Sequence, residues 1–520
     1  MIQRHFAPRA RLSPAWIQPT DRAARASQPA ASRRSPRSLA MAFLPACYVL
    51  RPSHGAGEAA FRGPRVSRAS DVAVSEGYRI ELVAEGLSLP SGVTFDAQGT
   101  PCVVESGYST GGVQATPRLL RLNADGTRSE IARGGDNGPW TGVAFHDGVF
   151  LVAEGGSASG GRILSVTAEG RVTPLVADLP SMGDHQTNGP AVGPDGRIYF
   201  GVGTATNSGV VGADDAAFGW LGKHPEFRDS PARDIHVSGQ RFEIGDPRPG
   251  HSGRVATTAF QRFGEAAGPG ALVRGALPCT GAVLSIAATG GDLQLVAWGL
   301  RNPFGLAFRA DGTLLVTENG LDERGSRPVW GAPEALWAIE RGRWYGWPDY
   351  TAGIPIDSDD FAPPSGPVPA RLIEDELPPP PQPLARFACH SSADGLDVSR
   401  SDAFGHVGEA FIALFGDQVP ATGKLLAPVG CKVVRVELDS GAVEDFAVNR
   451  GDVPGPASWS GMHGLERPIA VRFDPGGESL YVVDFGVLSQ EGSQPVPRPG
   501  TGALWAIRRL ASAQGGTASP

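Results

Sequence analysis

Four chemically potent residues stand in a repeated relation to small ones. His185 lies four residues before Gly189, Arg301 four before Gly305, His390 five before Gly395 and Arg467 three before Ala470. A second set, Glu105, Glu154, Glu318, Asn319, Asp417 and Asp484, closes apolar runs farther along the same segments. Imidazoles exchange protons near neutral pH, and guanidinium groups hold carboxylates or developing negative charge. Gathered at one mouth, such groups make a site for a polar, partly anionic ligand. The residues alone leave catalysis, binding and a merely solvated mouth open, since an arginine there could also pair with a neighbouring acid.

The elements that would position them repeat six times. The unit is a small residue, a short strand, a turn containing Gly, and an apolar strand ending in an acid or Gly. It reads SGVTFDAQGTPCVVESG at 91–107, TGVAFHDGVFLVAEGG at 141–156, NGPAVGPDGRIYFGVG at 188–203 and FGLAFRADGTLLVTENG at 304–320. A looser copy occupies 394–417, and IAVRFDPGGESLYVVDFG at 469–486 is the last. Alternating apolar residues around such turns are antiparallel hairpins. Sheets of this size bury both faces only against neighbours, so the pattern predicts an all-β, six-bladed β-propeller. The strand YRIELVAEGL at 78–87 precedes the first copy and is expected to close the ring on the last blade. In that geometry, residues just before the small position and just after the second strand ring one funnel. The small positions Gly92, Gly142 and Gly189 are blade-spaced; the longer later spacings place insertions at 206–280 and 350–388.

Composition agrees. The chain has 520 residues, with 71 Gly, 46 Pro and only 19% charged residues, which excludes a coiled coil or helical solenoid. Residues 1–70 carry twelve arginines against Asp21 and Glu58, whereas the remainder holds 34 bases and 52 acids. An acidic body disfavours nucleic acid. We divide the chain into an Arg/Ala/Pro-rich segment 1–70, a propeller 71–511 and a tail 512–520. The first segment reads as a disordered tail, as upstream sequence if Met41 begins the chain, or as an export signal. The last reading rests on Arg33-Arg34 ahead of the apolar run 39–50 and implies a periplasmic or secreted protein. No run is long enough for a membrane span. The five cysteines form no CxxC; a disulfide pair cannot be chosen, and Cys102 and Cys431 read as small buried residues. Trp344, Tyr345 and Trp347 read as core or as a sugar-site wall, and Asp357 to Asp360 as a solvated loop.

Several motifs together resemble the glucose/sorbosone dehydrogenase family, the soluble quinoprotein aldose dehydrogenases. They are Asp184-His185-Gln186-Thr187-Asn188-Gly189, GLRNPFGLAF at 299–308, TENG at 317–320, WYGWPDY at 344–350 and ERPIAVRFDP at 466–475. The resemblance spans roughly 90–486. It implies a propeller holding pyrroloquinoline quinone (PQQ) and Ca²⁺ in the funnel, oxidation of an aldose or related sugar, and electron transfer to an external acceptor. By motif, His185 is the general base and Asp184 a substrate-side carboxylate. Arg301 and Asn302 contact the quinone, and Asn319 stands beside it. The carbonyls of Gly320 and Leu321 face Ca²⁺, Arg467 binds a cofactor carboxylate, and Asp136 is a weak match for a further polar contact. The chemistry suits the residues: a base removes the hydroxyl proton as hydride leaves carbon, and Arg301 and Ca²⁺ steady the reduced carbonyl. The chain departs from the family in two places. Lys432, in PVGCKVVRVEL, is three residues out of register with the family's quinone lysine, and LDERGSRPVWGAP (321–333) displaces an acidic pair. Two other readings are a metal-dependent, lactonase-like hydrolase, motivated by the second-strand acids, and a non-enzymatic propeller binding a glycan or protein through its long loops.

Overall fold

The computed structural model describes residues 61, 63–108, 115–248, 250–364, 366–417, 428–452, 454–491 and 494–511. The export-signal reading, Cys47, Lys424 and the tail 512–520 lie outside them. Six antiparallel sheets make the propeller. Blade 1 comprises Pro90–Phe95, Pro101–Glu105, Arg118–Leu122 and Arg128–Arg133; blade 2 comprises Trp140–His146, Val149–Glu154, Gly161–Val166 and Val172–Leu179. Blade 3 comprises Thr187–Val192, Ile198–Val202, Ala282–Ile286 and Gln294–Trp298; blade 4 comprises Asn302–Phe308, Leu314–Asn319, Glu334–Ala338 and Ala385–Phe387. Blade 5 comprises Ala393–Val398, Ala410–Leu414, Lys432–Glu437 and Ala442–Asn449; blade 6 comprises Pro468–Phe473, Ser479–Asp484 and Gly502–Arg509.

Tyr78–Leu87 completes blade 6, pairing from Tyr78 opposite Arg509 to Leu87 opposite Gly502, so the ring closes as the sequence implies. One strand was not legible: Val72–Val74 adds a fifth strand to blade 5, with Val72 opposite Asn449. The ordered body also begins before residue 71. Arg65 is buried against blade 6, bonding Asp484 at 2.6 Å and the carbonyls of Gly464 and Thr501. Composition could not separate this arginine from its eleven neighbours in the basic segment.

The second strands are short apolar runs such as Cys102-Val103-Val104 and Leu315-Val316, buried on both faces because a blade lies on either side. The small residues have a specific use. The first strands of successive blades touch in a closed ring, and Gly92, Gly142, Gly305 and Gly395 are where a neighbouring blade's backbone crosses. A Cβ on Gly142 would sit 2.1 Å from the Gly189 carbonyl oxygen, and one on Gly305 2.3 Å from that of Asp394. Gly142→Ala is therefore expected to cost at least ~1–3 kcal/mol, read as a lower denaturant midpoint. Gly245→Ala, at an exposed strand position without positive φ where nothing lies within 4 Å of an added Cβ, controls for replacing a strand glycine.

The insertions are more ordered than loops. Residues 206–280 form the short helices Ala213–Ala217 and Trp220–Lys223 and two small hairpins, Ile235–Val237 with Ala271–Val273 and Phe242–Gly245 with Arg254–Thr257. Residues 350–388 pack on them, with Ser238 N–H donating to Leu372 O at 2.8 Å and Glu374 N–H to His236 O at 2.9 Å. Arg327 pins both: it pairs with Asp349 at 3.0 Å and bonds the carbonyls of Ser208, Pro348 and Ala370. Trp344, Tyr345 and Trp347 are core, each under a tenth exposed. Cys102, Cys279 and Cys431 are buried free thiols. A cavity of about 290 Å³ opens at the far ends of the first strands, among Thr94, Ala144, Ala191, Ala307 and Arg472. It lies at the opposite end of those strands from the residues considered next.

Candidate functional site

The acids at the second-strand ends do structural work. Glu318 accepts the Arg301 backbone N–H at 2.6 Å and the Trp337 indole N–H at 2.7 Å; burial lifts its carboxyl to about 7. Asp484 accepts the backbone N–H groups of Glu466 and Arg467 and the charge of Arg65. Glu105 takes the Ser88 N–H and Arg118, and Glu154 takes Asn137, Arg162 and the Trp140 indole. Each ties the head of a first strand to the blade behind it. Their lone pairs are spent on holding the residue before each small position in place.

His185 and Arg301 are brought together by one residue between them. Thr204, two residues past the second strand of blade 3, donates its N–H to Arg301 O at 2.8 Å. Its carbonyl accepts the His185 backbone N–H at 3.1 Å and stands 3.0 Å from His185 Nδ1. The Thr204 hydroxyl, 3.1 Å from Nδ1, already donates to Thr206 O, so it faces the imidazole as an acceptor. Two acceptors at Nδ1 place the proton there and leave the Nε2 lone pair free. Burial, then the nearby Arg301 charge, pulls the imidazole pKa down to about 3. His185 is thus a neutral base aimed through Nε2. The space beside it exists because residue 203 is Gly: a Cβ there would meet His185 Cβ at 2.2 Å and Asn302 Oδ1 at 3.0 Å.

A relay of amides crosses from blade 3 to blade 5. Asn188 Nδ2 donates to Asn302 Oδ1 at 2.9 Å, and Asn302 Nδ2 to Asn319 Oδ1 at 2.7 Å. Asn319 Nδ2 reaches Glu334 at 3.1 Å and Asp394 at 3.2 Å. The relay fixes the orientation of Asn302 and Asn319. Burial raises the carboxyls of both Glu334 and Asp394.

Asp322 is the hub of the charges. Its Oδ2 lies 2.6 Å from Arg301 Nη2 and 3.0 Å from Arg324 Nε, and its Oδ1 lies 3.8 Å from His390 Nδ1. Burial opposes ionisation, but Arg301, Arg324 and His390 hold this carboxyl far below the usual range. His390 Nε2 bonds Glu323 at 2.6 Å. Against burial, that bond and Asp322 raise the imidazole to about 9, so His390 is a fixed cation. Asp184 accepts the Trp220 indole N–H at 2.9 Å and faces Arg324 at 2.7 Å. The 206–280 insertion therefore reaches the site through Trp220 and through Asn207, whose side chain bonds Arg301 and the Asp322 backbone.

Arg467 is almost wholly buried. Its Nη1 bonds the carbonyls of Gly416 and Asp417, and its charge stacks on Phe415 and Trp459. Gly320 and Leu321 lie buried at the start of the loop that carries Asp322. Asp136 is exposed on the loop before blade 2; its neighbour Asn137 makes the buried contacts there. Lys432 faces away from the axis and pairs with Asp445 on the fourth strand of its own blade. Thus His185, Asp184, Arg301, Asn302 and Asn319 belong to one connected network, while Asp136 lies outside it. Sequence reasoning did not find Thr204, Asn207, Asp322 or Arg324. The first two follow a second strand, the very position that the repeat marks in other blades. Asp322 and Arg324 sit inside an insertion, where the repeat gives no register.

No protein-family model matches the sequence, and no curated protein does. The fold is similar to that of solved propellers. A Trichoderma reesei protein of Carbohydrate-Active Enzymes Family AA12 is 14% identical with TM-score 0.53, covering 86% of this chain and 100% of its own. The PQQ domain of a pyranose dehydrogenase from Coprinopsis cinerea is 14% identical with TM-score 0.51, covering 86% and 98%. An aldose sugar dehydrogenase from Streptomyces coelicolor, in a PQQ-bound form, is 16% identical with TM-score 0.47, covering 84% and 99%. At these identities the likeness is one of architecture.

Proposed function

We propose that this propeller is a quinone-dependent dehydrogenase of an aldose or related sugar, with PQQ and Ca²⁺ in the funnel. The observation that carries the reading is the neutral, Nε2-directed imidazole of His185, joined through Thr204 to Arg301. The residues fit the cofactor at a second point. Arg467 Nε and Nη2 are buried without a hydrogen-bond partner, a cost of ~1–3 kcal/mol or more that a carboxylate would remove. Arg467 would hold that carboxylate, Arg301 and Asn302 the quinone edge with Asn319 beside them, and the carbonyls of Gly320 and Leu321 the Ca²⁺. Bound there, PQQ with Ca²⁺ supplies a hydride acceptor that no side chain can provide.

The chain's own work is to bind and orient the sugar hydroxyl and to take its proton on His185 Nε2. Thr204 keeps the imidazole in the tautomer that does this. Asp322 and Asn207 hold the Arg301 guanidinium where negative charge develops. Electrons then pass to an external acceptor. The lactonase-like reading is less well supported, because four of the acids that suggested it, Glu105, Glu154, Glu318 and Asp484, accept backbone N–H, indole, amide or guanidinium donors. Among the described residues no helix is long and apolar enough to cross a membrane. For export to the periplasm or beyond, the support is Arg33-Arg34 ahead of the apolar run 39–50.

Purified protein incubated with PQQ and Ca²⁺ is expected to reduce an artificial dye with some aldose, and to bind PQQ calorimetrically. Arg467→Ala should weaken PQQ binding. No binding and no dye reduction across a broad sugar panel would remove the proposal.

A further inference from the structure

Beside the His185 loop, three carboxylates converge that the proposed reaction does not require as a set. Asp184 comes from the segment before blade 3, and Asp214 and Asp215 from the first turn of the short helix Ala213–Ala217 in the insertion. One oxygen from each lies within 4.8 Å of the others. Their positive partner is Arg324, whose Nη1 is 2.7 Å from both Asp184 Oδ2 and Asp214 Oδ2. Arg324 is shared in turn with Asp322. Three acids facing one shared guanidinium leave about two negative charges out of water without a counter-charge, which is expensive unless a cation or protons supply it.

The hydrogen-bond inventory points the same way. Asp215 is 0% exposed; its Oδ2 accepts the Gly212 N–H at 2.6 Å, but its Oδ1 has no partner. Asp214 Oδ1 and the Ser326 hydroxyl are likewise buried and unpartnered. Asp184 Oδ2 is met at 2.7 Å by the Arg324 guanidinium, which Asp214 and Asp322 share. Glycines let the backbone come close to these side chains. A Cβ on Gly212 would meet Ser326 Oγ at 2.5 Å and Asp214 Oδ1 at 3.0 Å, and one on Gly325 would meet both Asp214 oxygens within 2.8 Å.

We propose that Asp184, Asp214 and Asp215 bind one divalent cation, which fastens the 206–280 insertion to the loop carrying His185. The donors are all oxygen, which favours Ca²⁺ or Mg²⁺ over zinc or copper. Ca²⁺ is the better fit, because its coordination is flexible and tolerates an irregular set of carboxylates, whereas Mg²⁺ demands a near-ideal octahedron. The site uses neither the Gly320 nor the Leu321 carbonyl and is tested without the quinone.

Trp220 makes the test direct, because its indole is bonded to Asp184. Metal-free full-length protein, without PQQ, is titrated with Tb³⁺ under tryptophan excitation and then with Ca²⁺. Sensitised emission that Ca²⁺ displaces is expected. Asp214→Asn with Asp215→Asn should weaken binding by ~10–100-fold or more. Trp220→Phe should remove the emission yet keep Ca²⁺ binding by calorimetry. A Ca²⁺-dependent rise in the unfolding temperature of the unaltered protein, absent from the single Asp215→Asn variant, provides a second readout. Absence of Trp220-dependent emission that Ca²⁺ displaces, or such emission that survives the double substitution, overturns the site; Ca²⁺ held by the Gly320 and Leu321 carbonyls would survive that substitution and is not scored. None of these readouts uses catalysis, so their failure is distinct from a failure of the dehydrogenase reading.

Discussion

Replacing His185 by alanine is expected to lower kcat for sugar oxidation by ~10²–10⁴-fold while leaving PQQ binding nearly intact. The expectation rests on the hydrogen bonds at Nδ1, which direct the free lone pair of Nε2 outward. A loss of quinone affinity equal to the loss of rate would instead make His185 a binding group. The pH dependence is a sharper check. Because the folded imidazole is pushed down to about 3 from 6.5, the base stays unprotonated in mild acid, and the acid limb it imposes on kcat/KM falls near the lower value. The same shift affects stability. Between those values the unfolded chain binds a proton that the folded chain does not, so unfolding is favoured as pH drops. The contribution is complete above 6.5 and is lost progressively as pH falls toward 3. His185→Gln, which cannot titrate, should flatten that part of the stability curve.

Arg327→Ala is expected to destabilise the protein by ~3–5 kcal/mol, because it leaves Asp349 buried and unpaired. Both side chains are 3% exposed or less, and Arg327 also satisfies three carbonyls from separate segments. Burial lowers the Arg327 pKa to about 10, so the group is still charged at neutral pH. Denaturant unfolding measures the loss, and hydrogen exchange locates it: protection should fall first across 206–280 and 350–388, ahead of the blades. The double substitution Arg327→Met with Asp349→Leu should recover much of the stability, since a well-packed apolar pair often equals a buried ion pair. If Arg327→Ala changes the midpoint no more than an exposed Arg371→Ala, the pin is not the device holding the insertions.

The contrast between these two predictions shows how far each level of description reaches. The propeller was legible because its signals are local and repeated. Hairpin alternation, turn glycines and the small residues of the first strands recur in register, and each acts within about a dozen residues of itself. The same register carried His185, Arg301 and Arg467 to the head of their blades, since that position follows from the strand alone. The residue that joins His185 to Arg301 was within reach too, but only once the second strand of blade 3 had an observed end.

What each polar group faces was not legible. Glu318 and Asn319 are neighbours in sequence, yet one is consumed by a backbone N–H and an indole, and the other lies in the amide relay. Asn207 meets Asp322 across 115 residues, and Asp184 meets Trp220 across 36. Such pairings are set by how two insertions fold over the same mouth, and insertions carry no repeat from which to read a register. The amino-acid order by itself determined the blades and the residues presented at the funnel. The tertiary structure decided which charges are neutralised, which imidazole is neutral and which is cationic, because burial and the nearest opposite charge set those properties and both depend on parts of the chain that are distant in sequence.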